Sequence, residues 1–516
     1  MTEETKPSIE RTAWIVLGAN TFAFTICFAA WMMNGVLITF LINNGVYDWD
    51  AAQMGWLIGT PVLTGAIFRL PLGIATDKWG GRPVFTVLLL LSAIPMWLVS
   101  YCDSYASFLL AGLGFGMTGT SFAIGIAFTS VWFPKRVQGT ALGIFGAGNA
   151  GAALTLLGAP TLLNMLTDNG ANMGEWVHLP KFYAVGLLLT GIVFWFATTN
   201  KIPTGGATKT LTQRLQPLKH MRVWRFGLYY FFVFGGFVAL AGWLVPYYVN
   251  VYALPVVTAG FLASFNTLPS GVIRAVGGWM SDKFGARAVM YWVFGICLGC
   301  CALLIVPQMD IYAPGSGIIA KAPGKVAEVT DDTIVVSSEK RKPITYKLKK
   351  KEGELVTDDE RRTGVLVWPR GMSWQEVDVA VGDEIKPKQL LASGHTHIFF
   401  QANVWIFTIL SLLLGAVMGI GKAAVYKHIP DYFPDDVGVV GGIVGVLGGL
   451  GGFICPVIFG YLLRSTGIWT TCWMFFFGVT AVCLVWMHVV VRRMTREQSP
   501  ELADLIESPA AGSVGS

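Results

Sequence analysis

Long apolar segments, separated by short polar connections, fill most of the chain. Each has about 20 residues or more, which is the length that an α-helix needs to cross roughly 30 Å of hydrocarbon. We place twelve such segments near residues 13–42, 51–75, 83–102, 105–132, 139–166, 181–199, 224–249, 256–280, 288–308, 398–428, 437–463 and 468–491. The pattern predicts an all-α integral membrane protein with twelve transmembrane helices.

The composition agrees with a membrane environment. Hydrophobic residues make up 54% of the chain and charged residues 13%, whereas an ordinary soluble domain has roughly 25% charged residues. The first apolar segment is too long for a signal peptide and is followed by no small-residue cleavage site, so we expect an uncleaved helix. The eight cysteines lie almost entirely in apolar stretches, with no histidine at metal-ligand spacing. We therefore expect no metal site, no cofactor and no enzymatic chemistry.

The charges of the connections predict the orientation. Lys and Arg concentrate in alternate connections, whereas opposite loops such as Asn43 to Asp50 contain neither. By the positive-inside rule the basic connections face the cytoplasm, and both termini lie on that side. The net charge of +6 is carried by these loops, so it gives no indication of a nucleic-acid partner. The basic connections contain Lys78 and Arg82, Lys135 and Arg136, Lys201 to Arg225, Lys283 and Arg287, and Arg492 to Arg496.

The chain contains an internal repeat. The segment GIATDKWGGR (73–82) is repeated as GGWMSDKFGAR (277–287), which places Asp77 and Asp282 at an offset of 205 residues. A later pair, WFPKRVQGTALGIFGAGNAG (132–151) and YFPDDVGVVGGIVGVLGGLGG (432–452), aligns Pro134 with Pro434 at an offset of 300 residues. Two related halves are typical of transporters. The growth of the offset indicates an insertion of about 95 residues in the second half.

The only polar stretch long enough for this insertion is 310–397. Turn residues divide it into β-prone segments such as APGKVAEV and DDTIVVSSE. It follows an outward-running span, so we expect a small β-rich periplasmic unit. Its ends resemble hairpins of biotinyl and lipoyl carrier domains, but Lys321 and Lys325 lack the context of a modified lysine. We expect a structural cap or a module that binds a periplasmic partner.

These features predict the following domain organisation. The ranges are an N-terminal six-helix half (1–200), a cytoplasmic linker (201–223), helices seven to nine (224–309), the insertion (310–397), helices ten to twelve (398–492) and a cytoplasmic tail (493–516).

Both repeated loops follow the pattern G-x-x-x-D-K-x-G-x-R. This pattern, present at the same place in both halves, resembles the signature of the major facilitator superfamily. The resemblance implies a twelve-helix fold of two pseudo-symmetric six-helix halves that rock about a central site. We predict that Asp77, Arg82, Asp282 and Arg287 form a cytoplasmic charged clasp that breaks and forms during gating.

Few charged residues lie within the spans, and each is a functional candidate because charge is costly in hydrocarbon. Arg69 and Arg274 each stand eight residues before the motif aspartate of their half, or about 12 Å deeper along a helix. Lys422 stands 12 residues before Pro434, about 18 Å from the helix end. No Asp or Glu occupies a span interior. Two facing guanidinium groups suit a small oxyanion, whereas a cation or sugar carrier coupled through a carboxylate is disfavoured.

The two glycine-rich helices, with the two mid-span arginines, resemble the nitrate signatures of the nitrate/nitrite porter (NarK-type) family. In that family the anion lies between the arginines and between aromatic rings. The resemblance assigns nitrate binding to Arg69 and Arg274, to Phe122 in the fourth span, and to Tyr230 and Phe234 in the seventh. It also assigns Asn149 of the first glycine signature, which could instead be interhelical glue. Core packing is the alternative role of each aromatic residue.

The tenth span, GKAAVYKHIP (421–430), is similar to the branch described as nitrate/proton symporters. A buried lysine can gain a proton when an anion arrives, so we predict that Lys422 couples protons to nitrate; a third fixed cation for the anion is the alternative. The prediction is a monomeric carrier for nitrate or nitrite and protons in the bacterial inner membrane. Nitrate/nitrite exchange, another small anion as substrate, and a non-transporting anion sensor are the other interpretations.

Overall fold

The computed structural model describes residues 10–202, 216–305, 308–338, 341–357, 360, 367–401, 403–433 and 437–498. Most of the predicted linker, the end of the predicted tail and Pro434 therefore lie outside the described residues. Within these ranges, eleven helices are long and apolar enough to cross a membrane, and a bent pair makes the twelfth span. The spans are α1 (Arg11–Asn43), α2 (Ala51–Trp79), α3 (Gly81–Tyr101), α4 (Tyr105–Trp132), α5 (Val137–Leu166), α6 (Met173–Ala197), α7 (Met221–Tyr252), α8 (Val256–Val272 with Arg274–Phe284), α9 (Ala286–Ile305), α10 (Val404–Tyr432), α11 (Val437–Thr466) and α12 (Thr471–Gln498).

Short polar residues fix where several spans begin. The Asp50 carboxylate accepts a hydrogen bond from the Gln53 backbone N–H, and the Gln53 side chain accepts one from the Asp50 N–H. Ser104 and Ser107 form the same reciprocal pair at the start of α4. Such capping boxes satisfy backbone donors that a helix otherwise leaves unpaired.

The repeated motif forms a tight turn in each half. Gly80 has φ 84° and Gly285 has φ 83°, and the two glycines stand at the repeat offset. This left-handed backbone region is readily available only to glycine, which explains the glycine that follows the Asp-Lys pair in both loops. We call this side of the bundle the motif end, and the opposite side, which carries the insertion, the insertion end.

At the insertion end the two halves are in close contact through glycines. A Cβ added to Gly35 would lie 2.8 Å from the Cα of Gly242, and one added to Gly59 would lie 2.8 Å from the Phe453 carbonyl oxygen. Small residues allow helix backbones to approach to this distance. The contacts that link the halves here are Gly35 with Gly242, Gly55 with Pro456, Gly59 with Phe453, and Gly260 with Leu156.

At the motif end the corresponding helices leave free space. A Cβ added to Gly73, Gly139, Gly143 or Gly442 would have no atom within 4 Å. These glycines lie on α2, α5 and α11, the same helices that are tightly packed at the other end. Among the described residues, the close glycine contacts between the halves therefore lie at the insertion end, whereas these four motif-end glycines have open space beside them.

Five spans are irregular near their midpoints. The α2 helix is interrupted at Phe68, and α8 bends by 46° after Val272. Segments of 3₁₀-helix occur in α4 (Gly116–Thr120) and α5 (Ala147–Ala150), and α7 contains a π-helical turn (Phe231–Gly236). Such irregular turns are frequent at functional sites, and these lie at the level of the two mid-span arginines.

The insertion between α9 and α10 is built of two sheets. Its strands are β1 (Gln308–Ile319), β2 (Gly324–Val329), β3 (Thr333–Ser338), β4 (Arg341–Lys347), β5 (Val367–Val377), β6 (Glu384–Ile385) and β7 (Leu390–Gln401). One sheet has the order β1-β7-β5 and the other β4-β3-β2-β6. The antiparallel β1–β7 pair begins at Gln308 opposite Gln401, close to the ends of α9 and α10. The predicted all-α fold with a β-rich insertion after the ninth helix is confirmed.

Candidate functional site

Two helix breaks place Arg69 and Arg274 at the centre of the bundle. Arg69 is the first residue of the second segment of α2 (Arg69–Trp79), and Arg274 is the first residue of the second segment of α8 (Arg274–Phe284). Pro71 has no N–H to donate to the carbonyl four residues earlier, and Pro269 lies inside α8 just before its bend. Prolines in a helix interior interrupt or kink it. The two halves thus place their arginines at equivalent irregular points.

Arg69 crosses from the first half to contact the second. Its side chain is 2% exposed, and its Nη1 donates a 2.7 Å hydrogen bond to the carbonyl oxygen of Gly445 in α11. The remaining Nε and Nη2 atoms are buried without a hydrogen-bond partner. A buried donor without a partner costs about 1–3 kcal/mol. Arg69 therefore presents unsatisfied donors within the core.

Arg274 lies near the same aromatic ring as Arg69. The central guanidinium carbons of Arg69 and Arg274 lie 5.5 Å and 5.3 Å from the centre of the Phe122 ring. The Arg274 Nη1 is also buried and without a partner, and its side chain packs beside Gly146 of α5. The structure thus brings together two guanidinium groups and Phe122; their role in anion binding stays a prediction.

The glycine-rich helices make this arrangement possible. A Cβ added to Gly449 would lie 2.7 Å from the Ala66 Cβ and 3.5 Å from the Arg69 Nη1, and one added to Gly448 would overlap the Tyr230 ring. On the opposite side, a Cβ added to Gly146 would contact the Arg274 side chain. Each glycine signature therefore admits the arginine of the other half.

The two aromatic residues of α7 lie beside Phe122. Tyr230 and Phe234 are stacked with ring centres 5.0 Å apart, and Phe234 and Phe122 are stacked with centres 6.2 Å apart. The Arg69 guanidinium lies 4.9 Å from the Phe234 ring centre. A flat guest between two ring faces needs about 7 Å, because carbon atoms pack at about 3.5 Å. An anion stacked between Phe122 and Phe234 would thus require these rings to separate by about 1 Å.

Asn149 is completely buried in the 3₁₀ segment of α5. Neither its Nδ2 nor its Oδ1 has a hydrogen-bond partner. Gly271 of α8 packs directly against this part of α5. An interhelical bridge would use the amide atoms of Asn149, so their lack of partners favours a role toward a ligand over the bridging alternative.

Lys422 is the third cation of the region and is fully buried. Its Nζ donates a 2.9 Å hydrogen bond to the Ser270 hydroxyl and lies 3.2 Å from the centre of the Phe237 ring. The positively charged Arg274 repels the ammonium group of Lys422. Among the described residues no aspartate or glutamate is buried. The site is therefore a cluster of positive charge that no described carboxylate neutralises.

Sequence reasoning missed Tyr426 and Trp31. The Tyr426 hydroxyl donates to the Gly441 carbonyl at 3.0 Å, and the Arg274 guanidinium lies 5.6 Å from the Tyr426 ring centre. Trp31 is held by a hydrogen bond to a backbone carbonyl of α2 and lies 5.9 Å from Arg69. Tyr426 follows Lys422 by four residues, which places both on one helix face. That spacing was the signal that could have identified it.

The predicted gating residues of the first half lie at the motif end, away from the central cluster. Arg82 donates from Nε to the Trp195 carbonyl at 2.9 Å, and its guanidinium carbon lies 4.1 Å from the Trp195 ring centre. Asp77 is half-buried at the end of α2. Both contacts of Arg82 are with α6 of its own half.

The equivalent residues of the second half also contact their own half. Asp282 forms an ion pair with Lys427 of α10. The Arg287 Nη2 donates a 3.2 Å hydrogen bond to the Tyr432 hydroxyl, also in α10. A clasp between the halves, formed by these motif residues, stays a prediction.

A different ion pair joins the halves at the insertion end. Arg464 of α11 lies 3.3 Å from the carboxylate of Asp50 at the start of α2. The Trp56 indole donates a 3.4 Å hydrogen bond to the Tyr461 hydroxyl nearby. These polar contacts add to the glycine contacts that close this end.

The chain is similar in sequence to known membrane transporters. A sequence model described as the Major Facilitator Superfamily matches residues 21–320 and 390–512, so the unmatched stretch falls within the insertion. A Thermus thermophilus protein described as "Probable nitrate/nitrite antiporter NarK1" is 37% identical over 98% of this chain and 97% of its own length. A Bacillus subtilis protein described as "Nitrite extrusion protein" is 23% identical over 94% of this chain and 97% of its own length.

Solved structures share the fold at low sequence identity. A bacterial homologue of the human lysosomal transporter Spinster, in an inward-facing and occupied conformation, has a TM-score of 0.59 and 14% identity, with 94% of this chain and 98% of that chain covered. The fucose:proton symporter FucP of Escherichia coli has a TM-score of 0.52 and 14% identity, with 93% of this chain and 99% of that chain covered.

Proposed function

Because this chain belongs to the Major Facilitator Superfamily and to its NarK-type porters, we propose that it imports nitrate by alternating access, coupled to protons. The observation that carries this proposal is the pair of guanidinium groups whose central carbons both lie within 5.5 Å of the Phe122 ring centre. Their unsatisfied nitrogens, with no described carboxylate buried nearby, form a site for a small anion. The names of the two relatives above also support nitrate or nitrite as the substrate.

The geometry favours a flat oxyanion. Guanidinium groups donate hydrogen bonds within a plane and bind planar oxygens through paired contacts. The free atoms are Nε and Nη2 of Arg69, Nη1 of Arg274 and the side-chain amide of Asn149. Stacked rings on the remaining sides leave little room for a tetrahedral anion, so sulfate and phosphate are disfavoured.

The proposed direction of access follows from the orientation. If the basic motif loops face the cytoplasm, the closed insertion end is periplasmic and the loosely packed motif end opens inward. Outward opening then requires separation of the glycine contacts at Gly35, Gly55, Gly59 and Gly260 and of the Arg464–Asp50 ion pair. Both termini would lie in the cytoplasm of a bacterium, with the chain in its inner membrane as a monomer.

Lys422 is the proposed proton-coupling residue. Its ammonium group is buried beside Ser270 and is repelled by the positive charge of Arg274. An anion bound between the arginines would favour the charged form of Lys422. Nitrate and a proton would then bind together and leave together. Because no described Asp or Glu is buried, the usual carboxylate route for proton coupling has no support among these residues.

Nitrate/nitrite exchange on the same site is the second candidate function. The Thermus thermophilus relative is named as an antiporter, and Lys422 would then be a third fixed charge for the anion. The insertion would serve as a cap or would bind a periplasmic partner in either case. A carrier for another small anion and a non-transporting sensor are tested by the same assay.

Transport by purified protein in liposomes distinguishes these functions. Nitrate accumulation driven by an inward proton gradient, with no nitrite inside, is the expected result for symport. Uptake that occurs only when nitrite is loaded inside would replace symport by exchange. Failure of nitrate to compete with other small anions would reject the proposed substrate, and the absence of flux in every condition would favour a sensor.

A further inference from the structure

A groove on the outside of the first half has no role in the proposed transport cycle. It lies between the second segment of α2 (Arg69–Trp79), α3 and α4 and has a volume of about 320 Å³. Ser92 supplies its only side-chain hydroxyl. The lining residues are Leu72, Ala75, Trp79, Pro83, Val84, Val87, Leu88, Leu91, Ser92, Gly114 and Met117.

The equivalent position of the second half is packed differently. Leu72 of α2 corresponds to Gly277 of α8 at the repeat offset. A Cβ added to Gly277 would lie 2.7 Å from the Cα of Ile420, so α8 packs directly against α10. The larger side chain at Leu72 lines the space between α2 and α4 instead. The two equivalent positions therefore differ in packing: Gly277 lets α8 approach α10, whereas Leu72 lines the groove.

The groove faces the bilayer and matches the depth of one leaflet. Trp79, Val87 and Leu91 line it and are 56%, 52% and 60% exposed. Along α3 it extends from Pro83 to Ser92, which corresponds to about 14 Å of helix. One leaflet contributes about 15 Å of the roughly 30 Å hydrocarbon core. The groove therefore begins at the motif end of the membrane and ends near its midplane.

A cation stands at the mouth of the groove. The Lys78 side chain is exposed, and its Nζ lies 5.4 Å from the Trp79 ring centre. Arg82, the other cation of this loop, is already engaged with Trp195. An exposed lysine beside an apolar groove at the membrane surface is complementary to a phosphate headgroup above an acyl chain.

We infer that this groove is a binding site for one anionic phospholipid, with an acyl chain along α3 and its phosphate beside Lys78. The lipid would contact the helical segment that begins at Arg69, because Leu72 lies only one turn beyond that arginine. Occupation of the groove would thus hold the position of α2 relative to α3 and α4 while the halves rock. This inference is independent of the identity of the transported anion.

Native mass spectrometry of the full-length protein in detergent tests this site. The probes are phosphatidylglycerol, phosphatidylcholine with the same acyl chains, and glycerol phosphate, which has no acyl chain. Ala75→Phe fills the groove, Lys78→Gln removes the charge at its mouth, and Val193→Phe places a phenyl ring on the exposed face of α6. Circular dichroism and gel filtration check the folding of each variant.

We expect the wild type and Val193→Phe to retain one phosphatidylglycerol molecule, and Ala75→Phe to lose it. Lys78→Gln should reduce the preference for phosphatidylglycerol over phosphatidylcholine about fivefold, since one lysine at a membrane surface contributes that much. Equal lipid retention by Ala75→Phe and the wild type would overturn the inference. Displacement of the lipid by glycerol phosphate would also overturn it, because the site would then bind a free phosphate.

Discussion

Replacement of Arg69 by lysine keeps the charge of the central site but removes the guanidinium geometry. Arg69 uses Nη1 to hold the Gly445 carbonyl and leaves Nε and Nη2 free. A lysine has a single nitrogen, which cannot bind both this carbonyl and an anion in the same arrangement. Arg69→Lys therefore separates the effect of hydrogen-bond geometry from the effect of charge.

The size of the expected change in KM follows from the loss of one hydrogen bond to the anion. A hydrogen bond to a charged group contributes about 1.5–3 kcal/mol, and about 1.4 kcal/mol corresponds to a factor of ten. Loss of one such bond to nitrate should raise the KM for nitrate about 10- to 100-fold. The overall fold should be retained, because lysine can still donate to the Gly445 carbonyl.

The assay is the concentration dependence of nitrate uptake into liposomes. Arg464→Lys is the matched control, because Arg464 lies at the insertion end and pairs with Asp50. Its KM should stay near the wild-type value. If correctly folded Arg69→Lys has a KM within about threefold of wild type, Arg69 does not bind the anion and the reasoning fails.

Four further predictions test separate parts of the structure. Lys422→Met should abolish proton-driven nitrate accumulation but preserve nitrate counterflow; accumulation at the wild-type level would exclude this lysine from coupling. Tyr426→Phe removes a 3.0 Å hydrogen bond that contributes about 1 kcal/mol. The nitrate concentration that gives half-maximal uptake should therefore rise about fivefold, and an unchanged concentration would mean that the bond does not order the site. Gly448→Ala should inactivate transport because its Cβ would overlap an α7 tyrosine ring, whereas Gly442→Ala has open space and should be active; equal activities would contradict this packing. Arg464→Gln removes an exposed ion pair worth less than about 1 kcal/mol. The rate at which a cysteine introduced at the insertion end is labelled should therefore rise at most about fivefold, because that end opens more often. A fall in the labelling rate would be evidence against closure by this pair.

The twelve spans, the insertion after the ninth helix and the family could be predicted from the sequence, and all three are confirmed. Span length and loop charge are local properties, so they can be found without knowing which helices touch. The repeat offset also indicates that Arg69 and Arg274 occupy equivalent positions in the two halves. Their roles, and those of Asn149 and Lys422, stay predictions that the experiments above address.

The packing of the site was not predictable in the same way. Arg69 donates a hydrogen bond to the carbonyl oxygen of Gly445, which is 376 residues away in the sequence. Tyr426 lies beside Arg274, although no sequence motif indicated that it belongs to the site. The 6.2 Å spacing of Phe122 and Phe234 also depends on the positions of two helices from different halves.

The physical reason lies in the membrane as a solvent. In water the apolar face of a helix marks its buried side, but in a bilayer the lipid-facing and helix-facing sides are both apolar. The sequence by itself therefore determined how many times this chain crosses the membrane, where it leaves it, and which charged residues lie deep within it. Only the tertiary structure decided which helices adjoin, how glycines let the halves meet, and how the groove beside Leu72 is formed.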